Sequence, residues 1–276
     1  MQATALTFGD LRIVGASRAG EETWFRVHPP GLAFDVGRGP TQLAGARDLF
    51  VSHGHLDHAS GVPYLLSQRS LHHLAETRVF CPRPLAPALT ELIRAAEAME
   101  QGSYRYDLVP LDSGARVEVD RGLFVEAFAT DHVVPALGFH LLREKRRLRP
   151  ELRGLAPQEV ALRRQRGETV DERAEELLVS YCGDTGPGVF DVEPRLFSAR
   201  ILLLECTFLG EDLVERGRQY RHLHVADLEA RAASFANQAV VLHHLSRRHR
   251  PEELRRLVEQ RLPQLAGRVH LLADDG

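Results

Sequence analysis

Residues 52–58 read Ser-His-Gly-His-Leu-Asp-His and place three imidazoles and one carboxylate within six positions, directly after an apolar run. Side chains alternate along a strand, so His53 and His55 can face one metal ion while the following turn carries Asp57 and His58 to a second. If these side chains were buried together without a cation, desolvation would cost on the order of several kcal/mol. The stretch therefore predicts two adjacent metal sites.

The cysteines point away from other kinds of metal or disulfide site. Cys81, Cys182 and Cys206 are odd in number and scattered along the chain. Structural zinc sites are usually rich in thiolate ligands, and disulfide frameworks need paired cysteines. We therefore expect three reduced, apolar cysteines and a metal site built from histidine and carboxylate.

Other apolar runs are also followed by side chains that can bind metal or move protons. These runs are residues 123–129 before His132, 177–181 before Asp184, 201–204 before Glu205, and 239–242 before His243 and His244. If the runs are strands whose ends meet at one edge of a sheet sandwich, their terminal residues would come together. The recurrence predicts that the centre is assembled from several distant segments.

The remaining pattern is that of an α/β protein. Short apolar runs separated by glycine and proline predict N-terminal strands at 5–8, 11–14, 24–27 and 32–36, and helical periodicity predicts helices at 62–71, 87–99, 225–235 and 251–262. With 276 residues and 43% hydrophobic content, the chain can bury a substantial core. We expect a single domain over residues 1–276.

Composition also indicates which cellular environment and partners to expect. The net charge of −3 does not indicate general binding to nucleic acid or to anionic lipid. No apolar run approaches the roughly 18 residues that cross a bilayer, and the first 30 residues do not resemble a signal peptide. We expect a cytoplasmic protein without a membrane partner.

One segment differs from the rest in charge. Residues 143–166 contain nine basic side chains against three glutamates. Residues 143–178 as a whole are highly charged and poor in aromatics. The pattern predicts a solvated helical arm that projects from the domain.

Several motifs, taken in order, resemble those of ribonuclease Z, the tRNA 3′-processing branch of the metallo-β-lactamase superfamily. They are Ala33-Phe34-Asp35-Val36-Gly37-Arg38, Ser52 to His58, Gly61-Val62-Pro63, His132, Gly183-Asp184-Thr185, Glu205-Cys206-Thr207-Phe208 and His244-Leu245-Ser246-x-Arg248. The chain departs from the family at three places. It has His222-Leu223-His224 where the family has His-x-Thr, His249 where tyrosine is usual, and no N-terminal Pro-x-Lys-x-Arg-Asn loop.

The resemblance implies a four-layer αββα sandwich with two metal ions at the strand ends. In that family's arrangement one Zn²⁺ is held by three histidines, the other by an aspartate and two histidines, and a further aspartate bridges them. The matching residues are His53, His55 and His132 for the first ion, Asp57, His58 and His244 for the second, and Asp184 for the bridge. Ligands of these types also admit Mn²⁺ or Fe²⁺.

The resemblance further implies a reaction. A metal-bridging hydroxide would attack the phosphodiester and remove the 3′ trailer of a tRNA precursor, with Asp57 as the proton acceptor. Glu205 and His222 would protonate the leaving oxygen. A structural role remains an alternative for Glu205, and we expect structural roles for His243 and His249. The family also implies a homodimer.

The arm occupies the place of the exosite with which ribonuclease Z enzymes grip tRNA, and its length resembles the short-arm subgroup. Arg146, Arg147, Arg163 and Arg164 are the expected RNA-binding residues. A solvated arm without an RNA role is the alternative. For the whole protein the alternatives are a phosphodiesterase for small substrates such as cyclic nucleotides, a lactone or thioester hydrolase, and a metal-stabilised binding protein.

Overall fold

A computed structural model describes residues 1–272 and contains two seven-stranded sheets. The first sheet has its strands in chain order. They are β1 (Thr4–Phe8), β2 (Leu11–Arg18), β3 (Glu22–His28), β4 (Leu32–Val36), β5 (Asp48–Phe50), β6 (Thr77–Pro82) and β7 (Tyr106–Leu111). Strands β1 to β4 pair antiparallel, whereas β4 to β7 pair parallel.

The second sheet repeats this division, with spatial order β14-β13-β12-β11-β10-β9-β8. Its strands are β8 (Arg116–Asp120), β9 (Leu123–Ala129), β10 (Leu137–Leu148), β11 (Asp171–Tyr181), β12 (Ile201–Glu205), β13 (Ala239–His243) and β14 (Val269–Leu271). Pairing is antiparallel from β8 to β11 and parallel from β11 to β14. Strands β9, β11, β12 and β13 therefore run in the same direction and end at the same edge.

Eight α-helices are present within residues 1–272. They are α1 (Leu56–Ala59), α2 (Val62–Leu71), α3 (Ala86–Glu100), α4 (Pro157–Gln165), α5 (Val189–Val192), α6 (Val214–Tyr220), α7 (Val225–Glu229) and α8 (Pro251–Arg261). Buried residues of α2 and α3 pack on the first sheet, and those of α5, α7 and α8 pack on the second. No helix within residues 1–272 is long and apolar enough to cross a bilayer.

The central core lies between the sheets and is rich in aromatic rings. Phe34 on β4 stacks on Phe139 of β10 with ring centroids 5.9 Å apart, and on Tyr181 of β11 at 5.3 Å. Every residue of β12 and β13 is buried, as expected for parallel strands covered on both faces. These layers confirm the predicted αββα sandwich.

The predicted helices are largely present, with one shorter than expected. Helix α2 has the predicted bounds of 62–71, and α3 and α8 lie within a residue of theirs. The helix predicted over 225–235 ends as α7 at Glu229 and is followed by a 3₁₀ turn at Ala232–Ser234.

The arm is mainly a β-ribbon, so the prediction of a helical arm over 143–178 was wrong for most of its length. Strands β10 and β11 continue their antiparallel pairing outward as far as Leu148 opposite Asp171, and the helical part is limited to α4 and a 3₁₀ turn at Pro150–Leu152. Both faces of the ribbon are at least partly accessible and carry charged side chains, so hydrophobic periodicity gave no signal for strands. Cross-strand ion pairs, such as Lys145 with Glu176, stabilise it instead.

Candidate metal centre

The predicted ligands come from four chain segments that end at one edge of the sandwich. Residues 52–58 follow β5, His132 follows β9, Asp184 follows β11 and His244 follows β13. Because these strands are buried and terminate together, their following residues are held close to one another. The structure thus brings all seven predicted ligands into two adjoining groups.

The first group contains His53, His55, His132 and Asp184, whose donor atoms lie within 4.8 Å of one another. His53 Nε2 is 3.0 Å from His55 Nδ1, and His132 Nε2 is 3.3 Å from the same atom. His53 Nε2 is 3.6 Å from Asp184 Oδ2. Three imidazole nitrogens and one carboxylate oxygen therefore converge on one point.

The second group contains Asp57, His58 and His244, again within 4.8 Å. Asp57 Oδ2 is 3.4 Å from His244 Nε2 and 3.7 Å from His58 Nε2. Asp184 connects the two groups, because its Oδ1 is 3.3 Å from His58 Nε2 while its Oδ2 is 3.5 Å from His244 Nε2. This is the position expected of a bridging carboxylate.

The donor set fits divalent metal ions. Among the described residues, the buried atoms His58 Nε2 and Asp184 Oδ1 have no hydrogen-bond partner. His55 Nδ1 faces two other imidazole nitrogens, which cannot all be satisfied by shared protons. Buried polar atoms without partners are costly, and cations placed among them would remove that cost. Nitrogen and carboxylate ligands suit Zn²⁺, Mn²⁺ or Fe²⁺.

Asp35, at which sequence reasoning placed no function, holds His58 in orientation. Its carboxylate is fully buried and accepts hydrogen bonds from Ser52 N at 2.6 Å, Ser52 Oγ at 2.7 Å and His58 Nδ1 at 2.7 Å, and also from the Tyr181 hydroxyl. Binding at Nδ1 leaves His58 Nε2 to face the centre. The available sequence signal was a carboxylate inside an apolar strand, which must find partners when buried.

Asp57 is the most solvent-accessible carboxylate of the two groups. Burial opposes its ionisation, but the hydrogen bond from His244 and the charge of His58 outweigh that effect and lower the pKa of Asp57 to about 2. The backbone N–H of Gly20 also donates to Asp57 Oδ2 at 3.0 Å. The carboxylate is therefore ionised at neutral pH and held in one orientation.

Glu205 and His222 form a pair beside the second group. Glu205 is fully buried, and its Oε1 is 2.8 Å from His222 Nδ1. The Glu205 carboxylate also accepts hydrogen bonds from Thr185 N and from the backbone and hydroxyl of Thr207. Burial disfavours the charged imidazole, but Glu205 outweighs burial and raises the pKa of His222 to about 9. The ring of His222 stacks on His244, with centroids 5.3 Å apart.

His224, His243 and His249 have partners outside the two ligand groups. His224 caps α7 by accepting a hydrogen bond from Ala226 N at 3.1 Å. His243 is buried, and its ring contacts Phe25 and Tyr181. His249 Nδ1 lies 3.1 Å from a carboxylate oxygen of Glu253.

The four predicted RNA-binding arginines lie on the arm and not among the metal-centre residues. Arg163 is paired with Glu159 at 3.2 Å, and Arg164 with Asp171 at 2.7 Å. Arg146 and Arg147 are exposed on β10. No carboxylate of residues 1–272 pairs with either of these two.

The chain is similar in sequence to known proteins. A family profile described as "Beta-lactamase superfamily domain" matches residues 32–245. The tRNase Z TRZ1 of Arabidopsis thaliana is 30% identical over 263 residues, which cover 94% of this chain and 94% of that protein.

Two solved structures share the fold. The metallo-β-lactamase fold protein YhfI from Bacillus subtilis superposes with a TM-score of 0.63 at 13% identity, covering 95% of each chain. The short form of human tRNase Z has a TM-score of 0.56 at 19% identity and covers 99% of this chain and 90% of its own. With the fold, the extent of the profile match and the full-length similarity to a tRNase Z, the chain belongs to the tRNase Z family of the metallo-β-lactamase superfamily.

Proposed function

We propose that this protein is a zinc-dependent endonuclease that removes the 3′ trailer of tRNA precursors. The observation that carries the proposal is the Glu205–His222 pair, placed directly beside a two-metal donor set. Metal binding alone would not require a buried glutamate that holds a histidine in contact with the ligand His244. The similarity to proteins named tRNase Z supports the choice of substrate.

His53, His55 and His132 would hold one ion and Asp57, His58 and His244 the other, with Asp184 between them. When bound, two divalent ions supply an activated water and neutralise the negative charge of a phosphodiester. Neighbouring side chains would orient two of these ligands, since Asp35 fixes His58 and Thr207 Oγ1 lies 2.9 Å from His244 Nδ1.

Asp57 is the proposed general base. Its Oδ2 is fixed by Gly20 N and lies 3.4 Å from His244 Nε2, so the ionised carboxylate is aimed at the centre. The side chain is only partly buried, with 15% of its surface exposed. A water molecule entering from solvent can therefore reach a fixed proton acceptor.

His222 is the proposed general acid. Its Nδ1 is engaged by Glu205, which leaves the Nε2 proton for the substrate. The ring is close to ligands of both groups, with centroid distances of 5.3 Å to His132 and 5.3 Å to His244. Protonation of the 3′ oxygen by Nε2 would release the mature tRNA with a 3′ hydroxyl.

The arm would contribute contacts to phosphates that do not depend on sequence. Residues 143–178 contain ten basic and eight acidic side chains, and the returning strand β11 brings glutamates alongside the basic strand. Arg146 and Arg147 are therefore better candidates than the ion-paired Arg163 and Arg164. The homodimer expected from the resemblance is a further prediction, which sedimentation velocity can test.

This near-neutral arm favours one alternative, a phosphodiesterase for small substrates. The same seven ligands and the same acid pair would act on a single phosphodiester without any grip on RNA. The arm would then be a solvated ribbon stabilised by its own ion pairs.

The deciding experiment compares wild type and Asp57→Ala on an unmodified tRNA precursor with a 3′ trailer and on a small chromogenic phosphodiester. We expect the wild type to release the trailer at one position and Asp57→Ala to lose that activity. Turnover of only the small substrate would contradict tRNA processing and support the alternative. Loss of neither activity in Asp57→Ala would contradict the assignment of the base.

A further inference from the structure

A cleft with a volume of about 490 Å³ lies beside the metal centre and contains three arginines. Arg216 comes from α6, and Arg247 and Arg248 come from the segment after β13. Thr207 and Ser246, both nearly buried, also line it. We call this feature the arginine cleft.

The arginine cleft is joined to the reacting groups through one hydroxyl. Thr207 Oγ1 lies 2.9 Å from Nδ1 of the ligand His244 and 3.3 Å from Nδ1 of His222. Ser246 follows His244 by two residues, and its Oγ accepts a hydrogen bond from Arg248 N at 3.3 Å. Whatever occupies the cleft is therefore close to the side of the centre on which His222 lies.

Two of the three positive charges of the cleft have no carboxylate partner within residues 1–272. None of the residues that line it carries a carboxylate. Arg247 pairs with Glu21 at 2.8 Å, but neither Arg216 nor Arg248 is within 4.0 Å of a carboxylate in the part of the chain that the structure describes. The positive charges of Arg216 and Arg248 are therefore not compensated, and an anion bound in the cleft would offset them.

The shape and donors of the cleft fit a phosphate group. Guanidinium groups present N–H donors in a planar fork that matches phosphate oxygens, and the hydroxyl of Ser246 adds a further donor. The cleft is open to solvent, so a phosphate group of an extended chain can enter it. A bound metal ion is excluded there, because cationic side chains dominate the lining.

We propose that the arginine cleft binds the backbone phosphate immediately 5′ of the last mature nucleotide of the precursor. The inference rests on the proposed function. His222 protonates the 3′ oxygen that leaves, and that oxygen belongs to the last mature nucleotide. The mature end of the precursor therefore lies on the side of the metal centre where His222 is. On that side Thr207 contacts His222 and also lines the cleft.

The test combines a double variant with substrates that lack one charge. Arg216→Ala/Arg248→Ala removes two exposed cations, and Arg94→Ala/Arg105→Ala, at exposed positions outside the cleft, is the matched control. Three precursors are compared: an unmodified one, one with a neutral methylphosphonate at the phosphate 5′ of the last mature nucleotide, and one with the methylphosphonate in the trailer. Melting temperatures establish that both variants fold.

We expect the cleft variant to lower kcat/KM for the unmodified precursor by about 10- to 100-fold and to reduce the salt dependence of binding by about one to two released ions. For the precursor modified at the 5′ phosphate, wild type and cleft variant should be equal within about threefold, since both lack the same contact. The control variant should resemble wild type on all three substrates.

Equal cleavage of the unmodified precursor by wild type and cleft variant would overturn the assignment of the cleft alone. The assignment is also overturned if the cleft variant's loss of kcat/KM disappears only for the precursor modified in the trailer, or persists for both modified precursors. If wild type leaves the unmodified precursor intact, the proposed function is wrong and this assignment fails with it. If wild type and cleft variant both cleave the precursor equally, the cleft assignment fails while the proposed function stands.

Discussion

His132 and Arg221 are joined by two hydrogen bonds that run in opposite directions. His132 Nδ1 donates to the carbonyl oxygen of Arg221 at 3.3 Å, and Arg221 Nη1 donates to the carbonyl oxygen of His132 at 3.1 Å. The first bond leaves His132 Nε2 to face the other ligands. To place its carbonyl oxygen there, Arg221 adopts a left-handed conformation with φ of 52° at the end of α6, where glycine is usually preferred.

This conformation predicts that Arg221→Gly is more stable than Arg221→Ala. Both variants lose the guanidinium contact and keep the carbonyl that binds His132, but only glycine relieves the left-handed strain. We expect a difference of about 1 kcal/mol in the free energy of unfolding, measured by urea denaturation. Metal content should be the same in both variants. Equal stability would mean that the backbone at 221 is not strained.

His222 and His224 offer a matched comparison, because both are histidines two residues apart with different contacts. His222→Ala should lower kcat by about 10²- to 10⁴-fold, since it removes a proton donor, while metal content stays close to wild type and the melting temperature falls because the buried Glu205 loses its charged partner. His224→Ala should lower the free energy of unfolding by about 1–2 kcal/mol through loss of the α7 cap, with kcat within about threefold. The reverse pattern of kcat values would exclude His222 as the acid.

Asp35 is predicted to control both stability and metal affinity. Asp35→Asn converts a buried acceptor of several hydrogen bonds into a group with donors that face Ser52 and His58. We expect a loss of about 3 kcal/mol in the free energy of unfolding and metal affinity about 10- to 100-fold weaker. Tyr181→Phe removes only one donor to the same carboxylate and should cost about 1 kcal/mol without loss of metal. Metal content after dialysis and urea denaturation separate these outcomes.

A pH effect on stability is expected from Glu193, which lies away from the metal centre. Burial opposes ionisation of its carboxyl, but contacts with His140 and Arg195 outweigh burial and lower the pKa of Glu193 from 4.5 to about 2. Arg195 Nε lies 2.8 Å from Glu193 Oε1, and Arg195 Nη2 lies 3.0 Å from Oε2. Because the pKa is lowered on folding, this stabilisation is present above about pH 4.5 and is lost as the pH falls toward 2.

Glu193→Gln should therefore be less stable than wild type at pH 7 by about 1–2 kcal/mol, and the difference should shrink steadily below pH 4.5. Denaturant unfolding at pH 7, 4.5 and 3 measures it. Glu91→Gln, at an exposed glutamate of α3 with 73% of its side-chain surface accessible, is the control and should show no such trend. A difference that is constant with pH would contradict the proposed contribution of the Glu193 charge.

Local sequence was sufficient to predict the convergence of ligands at the strand ends. The reason is that buried parallel strands are recognisable as short apolar runs, and the residue after each run is placed by the strand itself. Asp184 and His244 could be found in this way although they are distant from residues 52–58. The resemblance to ribonuclease Z then supplied the grouping of ligands around each ion.

Two features could not be found from local patterns. Asp35 is important because of Ser52 and Tyr181, which lie 17 and 146 residues further along the chain, and no periodicity connects them. The arm was misassigned because its strands expose charged side chains on both faces, which removes the alternation that identifies strands. Its cross-strand pairing depends on which residues meet opposite one another, and that is a tertiary property.

The arm provides its own matched pair of variants for RNA binding. Arg146 and Arg147 are exposed and lack a carboxylate partner among residues 1–272, and Arg146 lies opposite another arginine, Arg173. Arg163 and Arg164 are already neutralised by Glu159 and Asp171. Arg146→Ala/Arg147→Ala should weaken binding of precursor tRNA by about 10-fold and reduce the slope of log Kd against log salt by about one to two. Arg163→Ala/Arg164→Ala should have a smaller effect on the affinity and on the salt slope, because Glu159 and Asp171 already offset the charges of Arg163 and Arg164. A larger effect of the second pair would mean that the ion pairs open when RNA binds, whereas no effect of either pair would show that the ribbon does not contact tRNA.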